Sequence, residues 1–268
     1  MSTTNPRILY LIGLNRSGST IYERFLGGAE GVFAAGEVHN LFLPPFFHRD
    51  CACGEELPDC AVWSDILTRL EKEAAMPLDE FVGRVAALHH KIGRTRHLPK
   101  IKRGTRDARQ LAGLVGALYA AIAGATNSSV VIDSSKGPAG ARLLRLMPYD
   151  YDVIHMYRDP VATIQSNAVW GGRSAPPRIS GPRLVATSVS ITMVNRHIRR
   201  DGKLTEVALE NFLSEHRGEA LPESHQCEGN PSRFGDAVLS PTIAEGRTPR
   251  LRTRAQAAAI TRLRALGR

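Results

Sequence analysis

The eight residues Gly13-Leu14-Asn15-Arg16-Ser17-Gly18-Ser19-Thr20 carry the strongest chemical signal in the chain. Glycines let a backbone turn tightly enough for successive amides to point at one anion, and a helix beginning there adds partial positive charge. The order follows the phosphate-cradling pattern G-x-x-x-x-G-K-[ST], with Ser19 standing where that pattern has lysine. The cation that reaches the outer phosphates of a nucleoside triphosphate is therefore missing, and the basic residue is Arg16 instead. Arg16, Ser17, Gly18, Ser19 and Thr20 are expected to hold a phosphate-like group without being built for ATP. The plainer alternative is a turn that caps a helix.

A second constellation is Tyr157-Arg158-Asp159-Pro160 followed by Ser166, eight residues after Arg158. Arginine presents a fork of donors suited to a phosphate, and a hydroxyl two helical turns on adds one more. The alternative for Arg158 is an ion pair with Asp159 or a neighbour. Three clustered cysteines, Cys51, Cys53 and Cys60, form C-x-C-x6-C, one ligand short of a tetrahedral zinc set unless His48 or Cys227 completes it. Loop-packing thiols and a disulfide are the other readings, so no metal ligand is assigned.

Both constellations resemble the donor sites of sulfotransferases of the bacterial type. GEVHN (36–40), VVIDSSK (130–136), GNPSRF (229–234) and the cysteine pattern with Trp63 are also similar to segments of that family. The likeness spans most of residues 7–235. It implies an α/β, three-layer, P-loop NTPase-like fold with a central parallel sheet flanked by helices, forming a single domain with a helical and irregular insertion at about 41–127. It implies 3′-phosphoadenosine 5′-phosphosulfate (PAPS) as donor and adenosine 3′,5′-bisphosphate as product. The acceptor would be a hydroxyl, or an amine, of a small molecule or glycan.

The resemblance distributes roles as follows. The loop from Arg16 to Thr20 takes the 5′-phosphosulfate, while Arg158 and Ser166 take the 3′-phosphate. Lys136 reaches the sulfuryl group or bridging oxygen, with a surface lysine as the alternative, and Arg16 neutralises charge on the leaving group. Asn230 and Arg233 close over the nucleotide. Glu37 is the general base, with His39 two residues on as its rival, since a neutral imidazole suits pH 7. Asp133, Ser134 and Ser135 could cap a following helix. The chain departs from the family after Arg200, where LTEVALENFL leaves little room for the further strand expected there, and after Phe234, where the expected aromatic finish is missing. Two other functions remain open at this stage, a P-loop-type nucleotide-binding protein or kinase and an inactive relative.

The elements that must position these residues alternate in type. RILYLIG (7–13) reads as a buried parallel strand, followed by a helix ending near Gly27. Further strands are expected within 31–38, at 128–133 and at 151–159. Helices are expected at 62–75, 78–92, 107–125, 139–146, 160–170 and about 182–200. Strands alternating with helices make a parallel sheet covered on both faces, with ligands beyond the strands' carboxyl ends.

The chain has 268 residues, 43% hydrophobic and 23% charged, which excludes a fibrous or wholly disordered protein. No apolar run approaches the roughly 18 residues of a membrane span, and no secretory signal is evident. A cytoplasmic location and no membrane partner are expected. The net charge of +9 is uneven: seven arginines and no acid lie between Arg247 and Arg268, and eight Lys/Arg lie between Lys91 and Arg109. No nucleic-acid-binding module accompanies these clusters, so solvated helix faces are the plainer explanation and no nucleic-acid partner is assigned.

Overall fold

The computed structural model describes residues 5–42, 50–169, 181–227, 238–239 and 251–267. Five strands, β1 (Arg7–Gly13), β2 (Val32–Ala34), β3 (Val130–Lys136), β4 (Tyr151–Tyr157) and β5 (Leu204–Ala208), form one sheet in the order β2-β3-β1-β4-β5. Every pairing is parallel. β1 is central and must be apolar on both faces. Ile8, Tyr10 and Ile12 join the core on one side, and Leu11 joins a second cluster on the other. The expected α/β architecture with helices on both faces is therefore observed.

The larger face is covered by α2 (Ala61–Ala74), α3 (Leu78–Ile92), the short α4 (Leu98–Lys102), α5 (Arg106–Thr126), α6 (Pro138–Leu143) and α8 (Gly181–Arg200). Trp63, Phe81, Leu118 and Ile198 are buried there beside Ile8 and Val153. By length and composition α5 could cross a membrane, but its Leu111, Leu118 and Ile122 are fully packed into this core. The opposite face carries α1 (Ser19–Leu26) and α9 (Leu209–Glu215). Tyr22 and Leu26 of α1 pack there against Leu11, Ile132 and Met156. α7 (Pro160–Val169) and α10 (Leu251–Gly267) form a smaller cluster with α8 through Ile164, Leu184, Ala257 and Ile260.

Two sequence expectations are corrected. There is room for the further strand: β5 follows α8 after a tight turn at Asp201-Gly202 and pairs with β4 from Leu204 to Ala208. It is an edge strand, and its one acid, Glu206, is neutralised by Arg199 at 3.0 Å with His155 Nδ1 at 3.3 Å. Asp133, Ser134 and Ser135 cap no helix. β3 runs through them to Lys136, and Gly137 precedes α6 without a side-chain cap.

The strand order sets where a ligand belongs. The connection leaving β1 crosses to β2 on one side of the sheet, whereas that leaving β4 goes to β5 on the other. Such a reversal opens a crevice beyond the carboxyl ends of the two strands. The register is level there, with Gly13 opposite Met156. The loop after β1 and the residues after β4 thus start about 4.8 Å apart, one strand spacing.

Candidate functional site

The loop after β1 is held in an uncommon conformation. Arg16 has φ 70° and Gly18 φ 92°. A Cβ at Gly18 would lie 2.4 Å from the Leu209 side chain of α9, so glycine is required by both φ and space. α1 begins at Ser19 with no side chain capping it. Its buried positions are polar, Ser19, Thr20, Glu23 and Arg24, an inversion of the usual amphipathic helix. The Ser17 and Ser19 hydroxyls are buried with no hydrogen-bond partner among the described residues. An orphaned buried hydroxyl costs about 1–3 kcal/mol, and two beside a helix N-terminus fit an anion that would satisfy them.

The end of β4 faces this loop. Asp159 accepts the Ala162 N–H at 2.7 Å and so caps α7, and its own N–H donates to Glu210 at 2.9 Å. The carboxylate that could have neutralised Arg158 is thereby engaged, and Arg158 has no carboxylate partner among the described residues. Ser166, on α7, accepts a 2.9 Å hydrogen bond from Arg16 Nε. Asn167 ties the same helix to the loop through the Asn15 carbonyl at 3.0 Å. Burial, and then the like charge of Arg158, hold the Arg16 pKa below its ordinary value. Two close guanidiniums with one partly buried favour an anion between them. A narrow cleft of about 40 Å³ lies here, lined by Ser17, Arg158, Thr163, Thr192 and Arg264.

On the other side of β1 the sheet carries Lys136. β3 contains an irregularity: Tyr10 pairs Asp133, but Ile12 pairs Lys136, so one extra residue is accommodated. Lys136 itself has φ 61° and is 6% exposed. Bulges of this kind re-aim a side chain at a strand end. The Lys136 ammonium forms an ion pair with Glu37, whose other oxygen accepts from Asn40 at 3.2 Å. Burial pushes the Glu37 carboxyl up, but the charges of Lys136 and His39, with these hydrogen bonds, outweigh it and keep its pKa below the usual value. Two of the three residues expected to do chemistry, Glu37 and Lys136, therefore hold each other.

Beyond Glu37 lies a cavity of about 220 Å³ lined by Tyr10, His39, Val85, His89, Tyr119 and Met147, among others. Asp133 is at its wall, accepting from Tyr119 Oη at 2.6 Å and the Ser135 N–H at 2.7 Å. Burial raises the Asp133 pKa to about 6 despite those bonds. His39 and His89 stack with ring centroids 6.5 Å apart. The cavity is thus mainly apolar, with a few convergent polar groups, as small-molecule sites are.

Gly36 joins the two sides. Its φ is 86°, and a Cβ there would meet the Cys227 carbonyl oxygen at 2.1 Å. An extended strap passes under this turn: Cys227 N–H donates to the Ala35 carbonyl at 3.0 Å, and Glu37 N–H donates to the Cys227 carbonyl at 3.0 Å. Beneath it, Glu23 accepts from the Gly36 N–H at 2.6 Å and from Gln226 Nε2 at 2.7 Å. Glu23 is fully buried, and burial raises its pKa to about 8, so it is protonated at neutral pH.

The chain matches no known family model and no curated protein. Among solved structures it is similar to the sulfotransferase domain of the olefin synthase of Synechococcus PCC 7002, at 17% identity over 96% of each chain with a TM-score of 0.46. A likeness that distant carries nothing about what this chain binds or transfers.

Of the residues singled out from sequence, Arg16 to Thr20, Arg158 and Ser166 come together at one end of the sheet, and Glu37 with Lys136 lies beside them. Asn230 and Arg233 fall outside the described residues. Arg264 was missed: α10 brings its guanidinium 4.2 Å from the centre of the Tyr157 ring, against Arg158's strand end. In sequence it is one arginine of a basic helical tail. Only its helix's packing on α7 and α8 gives it a place.

Proposed function

We infer that the protein is a sulfotransferase that takes PAPS as donor and sulfates a hydroxyl on a small, largely apolar acceptor. The single observation that carries this reading is the convergence of Arg16, Ser166 and Arg158, with the unpartnered Ser17 and Ser19 hydroxyls, at a loop that lacks the lysine an ATP site uses. Ser17, Gly18, Ser19 and Thr20, with Arg16, would hold the 5′-phosphosulfate. Arg158 and Ser166 would hold the 3′-phosphate. The donor supplies an activated sulfuryl group.

Transfer requires an acceptor oxygen to attack sulfur in line while the bond to the bridging oxygen of the nucleotide breaks. Products are a sulfate ester, adenosine 3′,5′-bisphosphate and the acceptor's proton. Positioning and electrostatic stabilisation account for most catalysis in such transfers. Lys136 would meet charge developing on the bridging oxygen, aided by Arg16. Drawing Lys136 toward that oxygen frees Glu37 from its ion pair and raises its basicity as the acceptor proton must be taken. The cavity of about 220 Å³ suits one ring system rather than a glycan chain.

His39 is a second reading for the base, favoured by its place in the cavity wall. The test is turnover of labelled PAPS with a panel of phenols and aliphatic alcohols, in wild type, Glu37→Gln and His39→Asn. Transfer lost in Glu37→Gln supports the first reading, and transfer lost only in His39→Asn supports the second. Absence of transfer from PAPS to any acceptor in wild type would overturn the assignment. A cytoplasmic location and independence from nucleic acid and membrane remain part of this proposal.

A further inference from the structure

The geometry points to a structural zinc site formed by Cys51, Cys53, Cys60 and His225, none of which is assigned a part in transfer. The ligand atoms of these four side chains all lie within 4.8 Å of one another. His225 Nδ1 is 3.5 Å from Cys51 Sγ and 3.4 Å from Cys60 Sγ. A tetrahedron built on Zn–S of about 2.3 Å and Zn–N of about 2.1 Å has S···N edges near 3.6 Å and S···S edges near 3.8 Å. The two S···N separations match that edge, and the remaining pairs, all within 4.8 Å, need close by no more than about 1 Å around a single ion.

Ordinary packing does not account for the arrangement. One imidazole nitrogen accepts one thiol hydrogen bond, yet two sulfurs approach Nδ1. All four cysteines are free thiols, so no disulfide explains the closeness. Cys53 is exposed, where a small apolar side chain gains little from the core. The backbone around the site is built to present ligands. Cys51 and Gly54 close a tight turn through the Gly54 N–H to the Cys51 carbonyl at 3.0 Å, with Gly54 at φ 97°. Cys60 starts α2, and its N–H donates to Glu56 at 2.9 Å. Buried Trp63 donates its indole N–H to the His225 carbonyl at 2.6 Å, fixing the fourth ligand's backbone.

Three thiolates and one imidazole fill four positions, so the site is closed and structural, with no open position for chemistry. Binding Zn²⁺ displaces three thiol protons to solvent, and the assembled centre carries one negative charge. Its consequence runs along the strap. The ion would clip the loop at 50–60 to His225, and Cys227, two residues on, accepts the Glu37 N–H. From sequence, His48 or Cys227 stood as the fourth ligand. His48 is outside the described residues, and the fourth ligand in space is His225.

The test uses the full chain and does not depend on the transferase reading. Protein purified under reducing conditions should contain one zinc per chain. Exchange for Co²⁺ should give the visible absorption of a tetrahedral thiolate site, and chelation of zinc should lower Tm. Because Cys53 is exposed, Cys53→Ser tests ligation without disturbing the core. Zinc affinity should fall by at least about 100-fold, as loss of a direct ligand exceeds the 10–100-fold of an outer-shell change. His225→Gln should act alike. Folded, reduced, zinc-supplemented wild type that takes up neither ion would overturn the site. So would an unchanged affinity in Cys53→Ser, or a disulfide among the three cysteines in native protein.

Discussion

The two sides of β1 meet their polar groups in opposite ways. On the β4 side, two seryl hydroxyls are buried without partners among the described residues, and the charge of Arg158 bears on the partly buried Arg16. On the β3 side, Lys136, Glu37, Asp133 and Tyr119 are satisfied by one another. Burying unsatisfied donors is unfavourable, so a fold that keeps them is organised around an anion that arrives from outside. A self-satisfied network instead stays quiet until something competes for one member. On the proposed function, binding falls to the first side and chemistry to the second.

The sharpest way to break this division is at Glu37. Glu37→Gln should lower turnover by roughly 10²–10⁴-fold and leave the affinity for adenosine 3′,5′-bisphosphate nearly intact. Steady-state rates and calorimetry measure the two independently, and a parallel loss of both would erase the distinction. Arg158→Ala probes the binding side. The affinity for adenosine 3′,5′-bisphosphate should fall by about 1.5–3 kcal/mol, while that for adenosine 5′-phosphate stays unchanged.

Glu23 lies under both sides, and its effect is on stability. Its folded pKa is raised to about 8 from the 4.5 of an ordinary glutamate, so the folded state binds the extra proton between those values. Stability from this residue is therefore intact below about pH 4.5 and is lost as pH rises through 8. The slope is at most about 1.4 kcal/mol per pH unit. Chemical denaturation of wild type and Glu23→Gln across that window should show a steeper loss of stability in wild type, with the difference between the two concentrated between pH 4.5 and 8, since Asp133, raised to about 6, contributes to both. The smallest effect has two signs. Ser19→Ala should raise the stability of the ligand-free protein by about 1 kcal/mol by removing an orphaned hydroxyl. It should weaken nucleotide binding by about 0.5–1.5 kcal/mol. A loss of stability would mean that Ser19 is already satisfied.

How legible each side was follows the same physics. β1 and its loop were readable because a central parallel strand is a continuous apolar run and the loop's glycines are local signals. β5 was not, because an edge strand can carry Thr205 and Glu206 and is stabilised by partners from α8 and β4. Asp133-Ser134-Ser135 reads as a helix cap because those residues normally favour caps. The β1 ladder makes them strand, and Tyr119, 14 positions earlier, and the Gly36 carbonyl then take up Asp133 and the Ser134 N–H. His225 and Arg264 escape any spacing rule, since one lies 165 positions from Cys60 and the other sits on a separate helix. Sequence patterns carry what is local, and tertiary packing supplies the rest.

The central claim is that the crevice between β1 and β4 is shaped for a nucleotide bearing both a 5′- and a 3′-phosphate. The most direct measurement is calorimetric titration of the wild-type protein with adenosine 3′,5′-bisphosphate, adenosine 5′-phosphate and ATP with magnesium. The bisphosphate should bind tightest, about 10–100-fold better than adenosine 5′-phosphate, with ATP weaker still. Preference for ATP, or equal affinity for the bisphosphate and the monophosphate, would contradict it.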